Sequence, residues 1–599
     1  MSDIRASQIL AQAEYGITPR LFVSRVAAQV EYGLDTVPPV TTVFPPGGSY
    51  PGGIAVTLTA NEPAAIYYTV DGSEPSPASA RYVDLIVCII STSLRFFAVD
   101  TAGNRELSHS VRYEITETPG KELVDMSSAN ISFSGIPSSI RKPGVYMEFN
   151  TALAVRTLPA NLQKMLLIAQ RTAAATVAAA TPTQIFTDAE AAGYFGIGSM
   201  AHLMARAAIT ANPYLNLTVC ALDDGAGAAA TVTLTFTVTT AGGGVLGVTI
   251  GGRLFELAVA AGSVNTVIAA GLKALLDKYP DLPVKATVAT NVVTLTALNK
   301  GTVGNQIDVA ASCTATGVTT VVSAASLTGG TIDPDITLAL IAVAATQYDI
   351  VVSPYNDATN LGLLKTHLET YGGPMEQRPG IGVFGYDGVL ANATTLAGTI
   401  NSGRMVGAYL RGALEPAFCV GAALGAVLAG EEDPARPLNS LGLTGITAPP
   451  VASRLTRGEQ EACLYGGITP LEVGPGEIVQ IVRAVTTYTM NAMGSPDISL
   501  LDVTTIRTLD YVRKAIRERC RLRFPREKLS TKTPPKVRSE ILDVLFKLEE
   551  LEIIENVELN KDGVLAEKDA MDPNRLDVKI PTDVVNGLHI LAARIDLIL

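Results

Sequence analysis

The residue types that do metal or nucleophilic chemistry are sparse in this 599-residue chain. Its four histidines, His109, His202, His367 and His589, stand far from one another and from every cysteine, so no zinc-ligand spacing exists. The six cysteines (Cys88, Cys220, Cys313, Cys419, Cys463, Cys520) are scattered singly without a CxxC. That excludes a zinc ribbon and a disulfide scaffold, and it fits a reducing compartment. There is no GxxxxGK[ST] phosphate loop, and no GxSxG elbow of a hydrolase. The glycine-rich stretches at Gly193–Ser199 and Gly474–Gly476 lack the strand–GxGxxG–helix context of a dinucleotide site. Asp223-Asp224 and Glu431-Glu432 fall in expected turns, where solvated carboxylates are ordinary. The expectation is a protein that is not an enzyme, with no catalytic residue, no metal and no cofactor.

Two features say more than these absences. The first is a helix expected over 505–522. At 100° per residue, Leu509, Val512, Ile516 and Cys520 share a packing face. Arg507, Lys514, Arg517 and Arg521 gather opposite, with only Asp510 and Glu518 among them. A solvated surface helix is the ordinary reading of such a pattern. Here the excess continues through Arg523, Arg526, Lys528, Lys532 and Lys536, giving 12 basic and 4 acidic residues over 504–540. Over 541–572 the balance inverts to 3 basic and 10 acidic. A basic block in a chain of net charge −12 suggests docking onto an acidic surface, and the acidic block at 549–572 is the competing partner within the chain.

The second feature is a pair of extended segments. Residues 131–149 carry Pro137 and Pro143 and have no helical period. Residues 588–599 alternate Leu591, Ala593, Ile595 and Leu597 on one face with Arg594 and Asp596 on the other. A terminal strand either completes its own sheet, the usual outcome, or adds to the edge of a neighbour.

Length and composition bound what must position these features. At about 150 residues per domain, the chain holds roughly four domains. With 47% hydrophobic and 17% charged residues it is not largely disordered. Its longest uncharged apolar stretch, 417–430, is too short for a span of ~20 residues. Despite a mean hydropathy of +0.29, no membrane insertion is expected, and the chain reads as a soluble protein or a subunit that hides surface in an assembly. The net acidity argues against a nucleic-acid partner. The first residues lack the pattern of a signal peptide, so cytoplasmic synthesis is the default.

Along the chain, 1–37 is an extension in which Ser7–Gly16 recurs weakly as Ser24–Gly33, read as a pair of short strands. Residues 38–118 form an all-β sandwich of immunoglobulin type, with strands at 56–59, 66–70 and 94–99 and turns at the Pro-Gly-Gly and Asp-Gly steps. A linker and extended arm fill 119–150. Alternating strands and helices occupy 151–225, with 166–169 apolar on both faces as in a covered parallel sheet. Residues 226–331 nearly lose their charges and read as an inserted β-rich domain, with strands at 231–239 and 286–297 and a helix at 264–278. The α/β text resumes over 332–495: strands at 348–353, 381–385 and 478–486, a helix at 359–371, a buried small-residue helix at 417–430 and a loop at 433–450. A C-terminal domain fills 496–599, with a strand at 575–580. The fold class is a multidomain α/β (α+β) core with an inserted β-rich domain, preceded by a β-sandwich.

Particular motifs carry resemblances. Phe44-Pro-Pro-Gly-Gly-Ser-Tyr50, Ile66-Tyr-Tyr-Thr-Val-Asp-Gly-Ser73 and Phe97-Ala-Val-Asp100 with Gly103-Asn104 resemble the immunoglobulin-like module that ends chitobiases and recurs in bacterial surface proteins. From Met126 onward the chain resembles the contractile tail sheath proteins of Mu-like bacteriophages. The matching text is 136–150 with 155–171, Val351-Val-Ser-Pro-Tyr-Asn-Asp357, 378–388 and the 501–524 helix. The resemblance implies a six-fold helical homo-oligomer around a tail tube protein, bounded by baseplate and terminator proteins, in a virion assembled in the host cytoplasm. It implies strand-exchange arms, one carrying Val145, Tyr146 and Met147 and the other Leu591, Ala593, Ile595 and Leu597. It also implies a tube-facing helix presenting Arg507, Lys514, Arg517 and Arg521, and contraction that drives the tube through the host envelope. Sheath proteins of this type begin near Met126, so the first 125 or so residues depart from the pattern. The module at 38–118 is then a decoration or spacer, any glycan contact resting on Tyr50, Tyr67, Tyr68 or Tyr82. The alternatives are an extracellular carbohydrate-binding or adhesin protein, and a headless injection device built on the same sheath fold.

Overall fold

The computed structural model describes residues 35–51, 53–88, 90–116, 142, 144, 147, 158–159 and 161–598. The repeat at 7–33 and most of 131–149 lie outside these residues. The chain forms two compact units, Met1–Val155 and Arg156–Leu599.

The first unit is a stack of two sheets. Strands β1 (Thr41–Phe44), β3 (Ile54–Ala60) and β6 (Ile86–Cys88) form one sheet, in the order β1-β3-β6. Strands β2 (Gly48–Pro51), β4 (Ala64–Thr69), β5 (Ala80–Arg81), β7 (Thr92–Asp100) and β8 (His109–Thr116) form the other, in the order β2-β8-β7-β4-β5. Period-two burial sends Val56, Leu58, Ile66, Leu94, Phe96 and Tyr113 into the shared core. The Asp100-x-x-Gly-Asn motif has a direct physical cause. Asp100 Oδ1 accepts from the backbone N–H groups of Gly103 (2.6 Å) and Asn104 (2.8 Å), and Gly103 sits at φ 95°, where only glycine is unstrained. Tyr113 donates its hydroxyl to the Pro45 carbonyl at 2.7 Å, and burial pushes the phenol up to about 12.

The second unit is built on an eight-stranded sheet. Its strands are β9 (Lys164–Gln170), β10 (Thr183–Ile185), β11 (Asn216–Leu222), β19 (Ile350–Val352), β20 (Ile381–Tyr386), β21 (Met405–Tyr409), β22 (Thr469–Val473) and β23 (Val479–Ile481). The order is β10-β11-β9-β19-β20-β21-β22-β23. From β11 to β22 every pairing is parallel, and each edge is closed by an antiparallel strand. Parallel strands are covered on both faces, which is why β9, β19 and β21 read as unbroken apolar runs.

One face is covered by the helix Ala417–Gly430, almost all of it buried. Its glycines let it approach the sheet closely. A Cβ on Gly385 of β20 would overlap the Ala417 carbonyl oxygen, and one on Gly425 would come within 2.6 Å of Val352 Cγ2 and 3.0 Å of Met165 Cε. The helix Met200–Ala211 shares the same buried cluster.

Between β11 and β19 the chain leaves the sheet for about a hundred residues. Strands β12 (Thr231–Val238), β15 (Val284–Ala289), β16 (Val292–Ala297) and β18 (Val318–Val322) form one sheet, in the order β15-β16-β12-β18. Strands β13 (Gly244–Ile250), β14 (Arg253–Val259) and β17 (Val309–Cys313) form another, in the order β14-β13-β17. With the helix Asn265–Leu276 they enclose a separate core around Leu234, Phe236, Val248, Ile268 and Leu272. Exit and return are side by side: Thr331 N–H donates to the Ala228 carbonyl at 3.3 Å, and a side chain on Gly227 would overlap the Thr331 carbonyl. The expected single strand at 286–297 is instead a hairpin, turning at Thr290 with φ 56°. The expected strand at 478–486 is only three residues long: its ladder with β22 ends at Ile481, after which Val482 N–H donates to the Pro470 carbonyl and Thr486 N–H to the Leu501 carbonyl.

The last hundred residues pack the helix Val503–Arg523 against the helix Thr533–Glu550 through Tyr511, Val512, Ala515, Val537, Ile541 and Val544. Two small sheets follow: β24 (Ile554–Glu555) with β27 (Asp583–Val584), and β25 (Leu565–Lys568) with β26 (Leu576–Lys579).

The glycine contacts predict a contrast. Gly385→Val should destabilise the second unit by about 2–3 kcal/mol, the cost of overpacking. Gly362→Ala, in the helix Ala358–Tyr371 with open space around its Cβ, should stabilise it by up to about 1 kcal/mol. Equilibrium denaturation of the two variants measures both.

Candidate functional site

The helix Val503–Arg523 is seated on the sheet by charge. Arg404, just before β21, makes two parallel bonds to Asp510, Nη1 to Oδ2 at 2.7 Å and Nη2 to Oδ1 at 2.9 Å. This bidentate geometry is the strong form of the ion pair. Arg513 adds a bond from Nη2 to Asp510 Oδ1 at 2.8 Å and one from Nη1 to the Gly372 carbonyl at 2.9 Å. Tyr511 donates its hydroxyl to the Pro159 carbonyl at 2.9 Å.

The four basic residues singled out by the helical wheel do not share one environment. Arg521 is exposed, and Lys514 and Arg517 are half-buried, Arg517 Nη1 donating to the Gln377 carbonyl at 2.9 Å. Arg507 departs from the expected exposed face. Its side chain is only 6% exposed, Nη2 donates to the Glu431 carbonyl, and Nη1 has no partner among the described residues. Burial lowers its pKa to about 10, so it stays cationic at neutral pH. The reason lies in how the helix is covered. Its first turns, with Val503 and Ile506, join the sheet's core, whereas its middle, with Tyr511 and Ala515, joins the core shared with Thr533–Glu550. A wheel that assumes one packing face therefore misplaces Arg507, and also Leu509, which is exposed.

The wheel also passed over Arg519. It is buried on the second packing stripe, with Nη1 at 2.8 Å from Asp543 and 3.3 Å from Glu540. Its signal was present: Glu540 and Asp543 are three apart, on the face of the next helix that meets it. Among the described residues, no ion pair joins Arg507, Arg517 or Arg521 to the acidic block at 549–572.

The segment 585–598, which holds Leu591, Ala593, Ile595 and Leu597, contains neither helix nor strand, and those four residues are exposed, Ile595 at 95%. Among the described residues it pairs with no strand. Its root is fixed. Strand β27 pairs with β24, and His589 Nδ1 lies 2.9 Å from Asn439 Nδ2. His589 Nε2 lies 3.5 Å from Asp502 Oδ1, and Asp502 is itself gripped by Arg483 at 2.8 and 2.7 Å. Of the expected N-terminal arm, Met147 is exposed, and Val145 and Tyr146 lie outside the described residues.

His202 is buried, accepting from Gly198 N–H at Nδ1 (2.9 Å), with Nε2 3.0 Å from Asp188. In the first unit, Asp35, Glu62 and Asp100 bring carboxylate oxygens within 4.8 Å of one another, a proximity the sequence did not signal. The tyrosines considered for glycan stacking are half-buried against other rings: Tyr50 against Tyr113, Tyr67 against Phe97, Tyr68 against Tyr82. No helix among the described residues is long and apolar enough to cross a membrane.

A charged helix is thus locked to a covered α/β sheet, and the exposed apolar segment 590–598 joins no strand among the described residues. The family models for the phage tail sheath protein central domain and C-terminal domain match residues 329–487 and 495–598, and the chitobiase/beta-hexosaminidase C-terminal domain matches 45–110. The chain belongs to the phage tail sheath protein family and is a structural sheath subunit. Within that family it is similar to the Mu-like prophage FluMu tail sheath protein of Haemophilus influenzae, at 32% identity over 489 residues, covering 78% of this chain and all of that one. Both resemblances expected from the sequence are thus found, with the chitobiase-type module at the front.

Solved structures with likeness to it include a sheath tail protein from Listeria innocua (16% identity, 73% of this chain, 94% of that one, TM-score 0.42). Another is the contracted helical sheath of the anti-feeding prophage (12% identity, 77% and 99% coverage, TM-score 0.38).

Two outcomes test this geometry. Asp510→Asn leaves Arg404 and Arg513 without their shared carboxylate, and should cost about 3 kcal/mol in denaturant titrations. His589 has a pKa held below the ordinary imidazole value, chiefly by burial and then by Arg483, with Asp502 opposing. The detached segment takes up the proton first, so the tether is at full strength above about pH 6.5 and weakens as the pH falls below it. NMR titration of the His589 ring should give a pKa below that of a free imidazole, and Asn439→Ala, which loosens the ring, should move it back up.

Proposed function

We propose that this subunit polymerises as a six-fold helical homo-oligomer around a tail tube, between baseplate and terminator proteins, and that the polymer shortens to drive the tube through the host envelope. In this reading it is assembled in the host cytoplasm and carried in the virion. The observation that carries it is the segment 590–598: alternating apolar side chains, exposed and outside any helix or strand, beyond an anchored root. Such a segment is suited to strand addition on a neighbour, where backbone hydrogen bonds give affinity and alternate side chains give register. An acceptor of the right kind exists in the same chain. The hairpin of β25 and β26 has only two strands, with no further strand at either edge among the described residues, and a two-stranded sheet is marginal alone.

The domain division that fits this role is an extension at 1–37, an immunoglobulin-like sandwich at 38–118 and an arm at 119–150. Sheath core follows at 151–225 and 332–495 around an inserted β-rich domain at 226–331, then the C-terminal domain at 496–599. Val145, Tyr146 and Met147 would make the second exchanged strand. Lys514, Arg517 and Arg521 would face the tube, through contacts worth about 0–1 kcal/mol each, weak enough to break during contraction. The sandwich is a spacer or decoration, and no cofactor is required.

Electron microscopy of the purified protein, alone and with a tube protein, tests the proposal. Striated hollow cylinders are expected from the intact chain, and removing 590–599, beyond the His589 tether, should abolish them while leaving the melting temperature of the subunit within about 2 °C, since the described residues 590–598 are exposed. Dispersed monomers under all conditions would reject the assembly reading, and intact cylinders from the truncated chain would reject the arm.

A further inference from the structure

A cavity opens at the amino-terminal edge of the central sheet, where β9 and β11 begin, with a free volume of about 470 Å³. That lies within the usual range of ligand-holding clefts, roughly 300–1,000 Å³. Leu162, Leu215, Val427 and Leu441 give it apolar walls, and Tyr214, 95% exposed, stands at its opening. The helices Met200–Ala211 and Ala417–Gly430 both end there, and neither has a basic residue in its last turn. Each such end carries about half a negative charge. Glu431 and Glu432 follow the second helix and line the cavity too. Glu431 is partly committed: Oε1 accepts from Asp433 N–H at 3.2 Å, its carboxylate acts on Arg507, and Arg436 Nη1 comes to 3.8 Å from Oε2. Glu432 is exposed and makes no ion pair among the described residues. None of the lining residues is a lysine, arginine or histidine. The cavity is therefore electronegative, walled by apolar groups and open to water.

The same chain carries the complement elsewhere. The loop between the helices Val503–Arg523 and Thr533–Glu550 presents Arg526, Lys528 and Lys532, all exposed and none in an ion pair among the described residues. Its one acid, Glu527, is taken by Lys536 at 3.3 Å. We infer that the cavity receives this basic loop from a second copy of the chain, a reading that rests on the assembly proposed above. A long basic side chain suits such walls, because its methylene stem packs on apolar groups while the charged head stays with Glu432 and the helix ends. A cation passing the ring of Tyr214 gains a further attraction. A copy cannot fill its own cavity this way. Arg507, which donates to the Glu431 carbonyl, stands beside the cavity. From there the helix runs sixteen residues to Arg523, or about 24 Å, and carries its own loop away. Cavity and loop are thus different surfaces of one molecule, and a contact between them is heterologous. Repeated from copy to copy, such a contact builds a ring or an open helix, never a closed pair.

The test uses the full chain. With Tyr214 replaced by the photo-crosslinker p-benzoylphenylalanine, irradiation of concentrated or assembled protein should join pairs of chains between position 214 and a peptide within 524–532. Adding Glu432→Lys should cut the yield at least about fivefold. Salt tolerance of the cylinders gives a second reading. Glu432→Lys alone, and Lys528→Glu with Lys532→Glu, should each lower the dissociating salt concentration at least about twofold. The three substitutions together should restore most of the loss, because the two charges have changed places. All three positions are exposed, so the melting temperature of the dispersed subunit should not move. Absence of joined chains, or crosslinks to any other peptide, the tube protein included, overturns the inference. So do cylinders weakened by the loop variants that the combination fails to restore, since the loop then serves another surface. Failure of the wild type to form cylinders counts against the assembly reading alone, and the crosslink in concentrated subunits then decides the contact.

Discussion

Six parallel strands have no face to give to water, and everything else in the second unit follows from that constraint. The sheet from β11 to β22 needs cover on both sides, and one of those covers is the Ala417–Gly430 helix. Because the helix has almost no side chain at Gly421 and Gly425, and β20 has none at Gly385, the two backbones close to a distance that larger residues forbid. This makes a rigid plate, with its two antiparallel edge strands limiting further growth of the sheet. Variable parts can then hang from its ends without disturbing it.

Charge in the C-terminal hundred residues is divided by burial. Arg404, Asp510 and Arg513 lock the helix to the plate, and Arg519 and Arg523 lock it to its neighbour through Glu540 and Asp543. These pairs absorb carboxylates that composition alone would assign to the outer basic face. What is left over is concentrated on a few positions, of which Arg521 is in water and Arg507 is out of it. A basic count along a helix thus mixes structural cations with those available to another molecule, and only burial separates them.

Much of the fold was legible because its signals are local. Apolar runs of four or five residues gave β9, β19 and β20 within about two residues at each end, and the small-residue stretch gave the buried helix to the residue. Motifs with a fixed hydrogen-bonding purpose, such as Asp100 with Gly103 and Asn104, marked the front module. The misses are non-local. The turn inside 284–297 uses Thr290 and Asn291 in place of glycine, between strands of the same Val and Thr composition, so alternation ran through it unbroken. Arg507 was misplaced because a helix buried against two neighbours has two packing stripes. Alternation at 591–597 suggests a strand, whereas the segment forms none among the described residues, and no local pattern says which edge would receive it.

The neck between the sheet and the excursion at 228–331 has a consequence for how such proteins change over generations. Ala228 and Thr331 are hydrogen-bonded neighbours, and the glycines beside them leave no side chains in the gap. The hundred residues between have their own core. Joining two points already in contact needs only a short turn, with little closure entropy. The whole excursion is therefore a cassette: it can be lost, exchanged or enlarged in a lineage at the cost of a turn, while the plate below keeps its register.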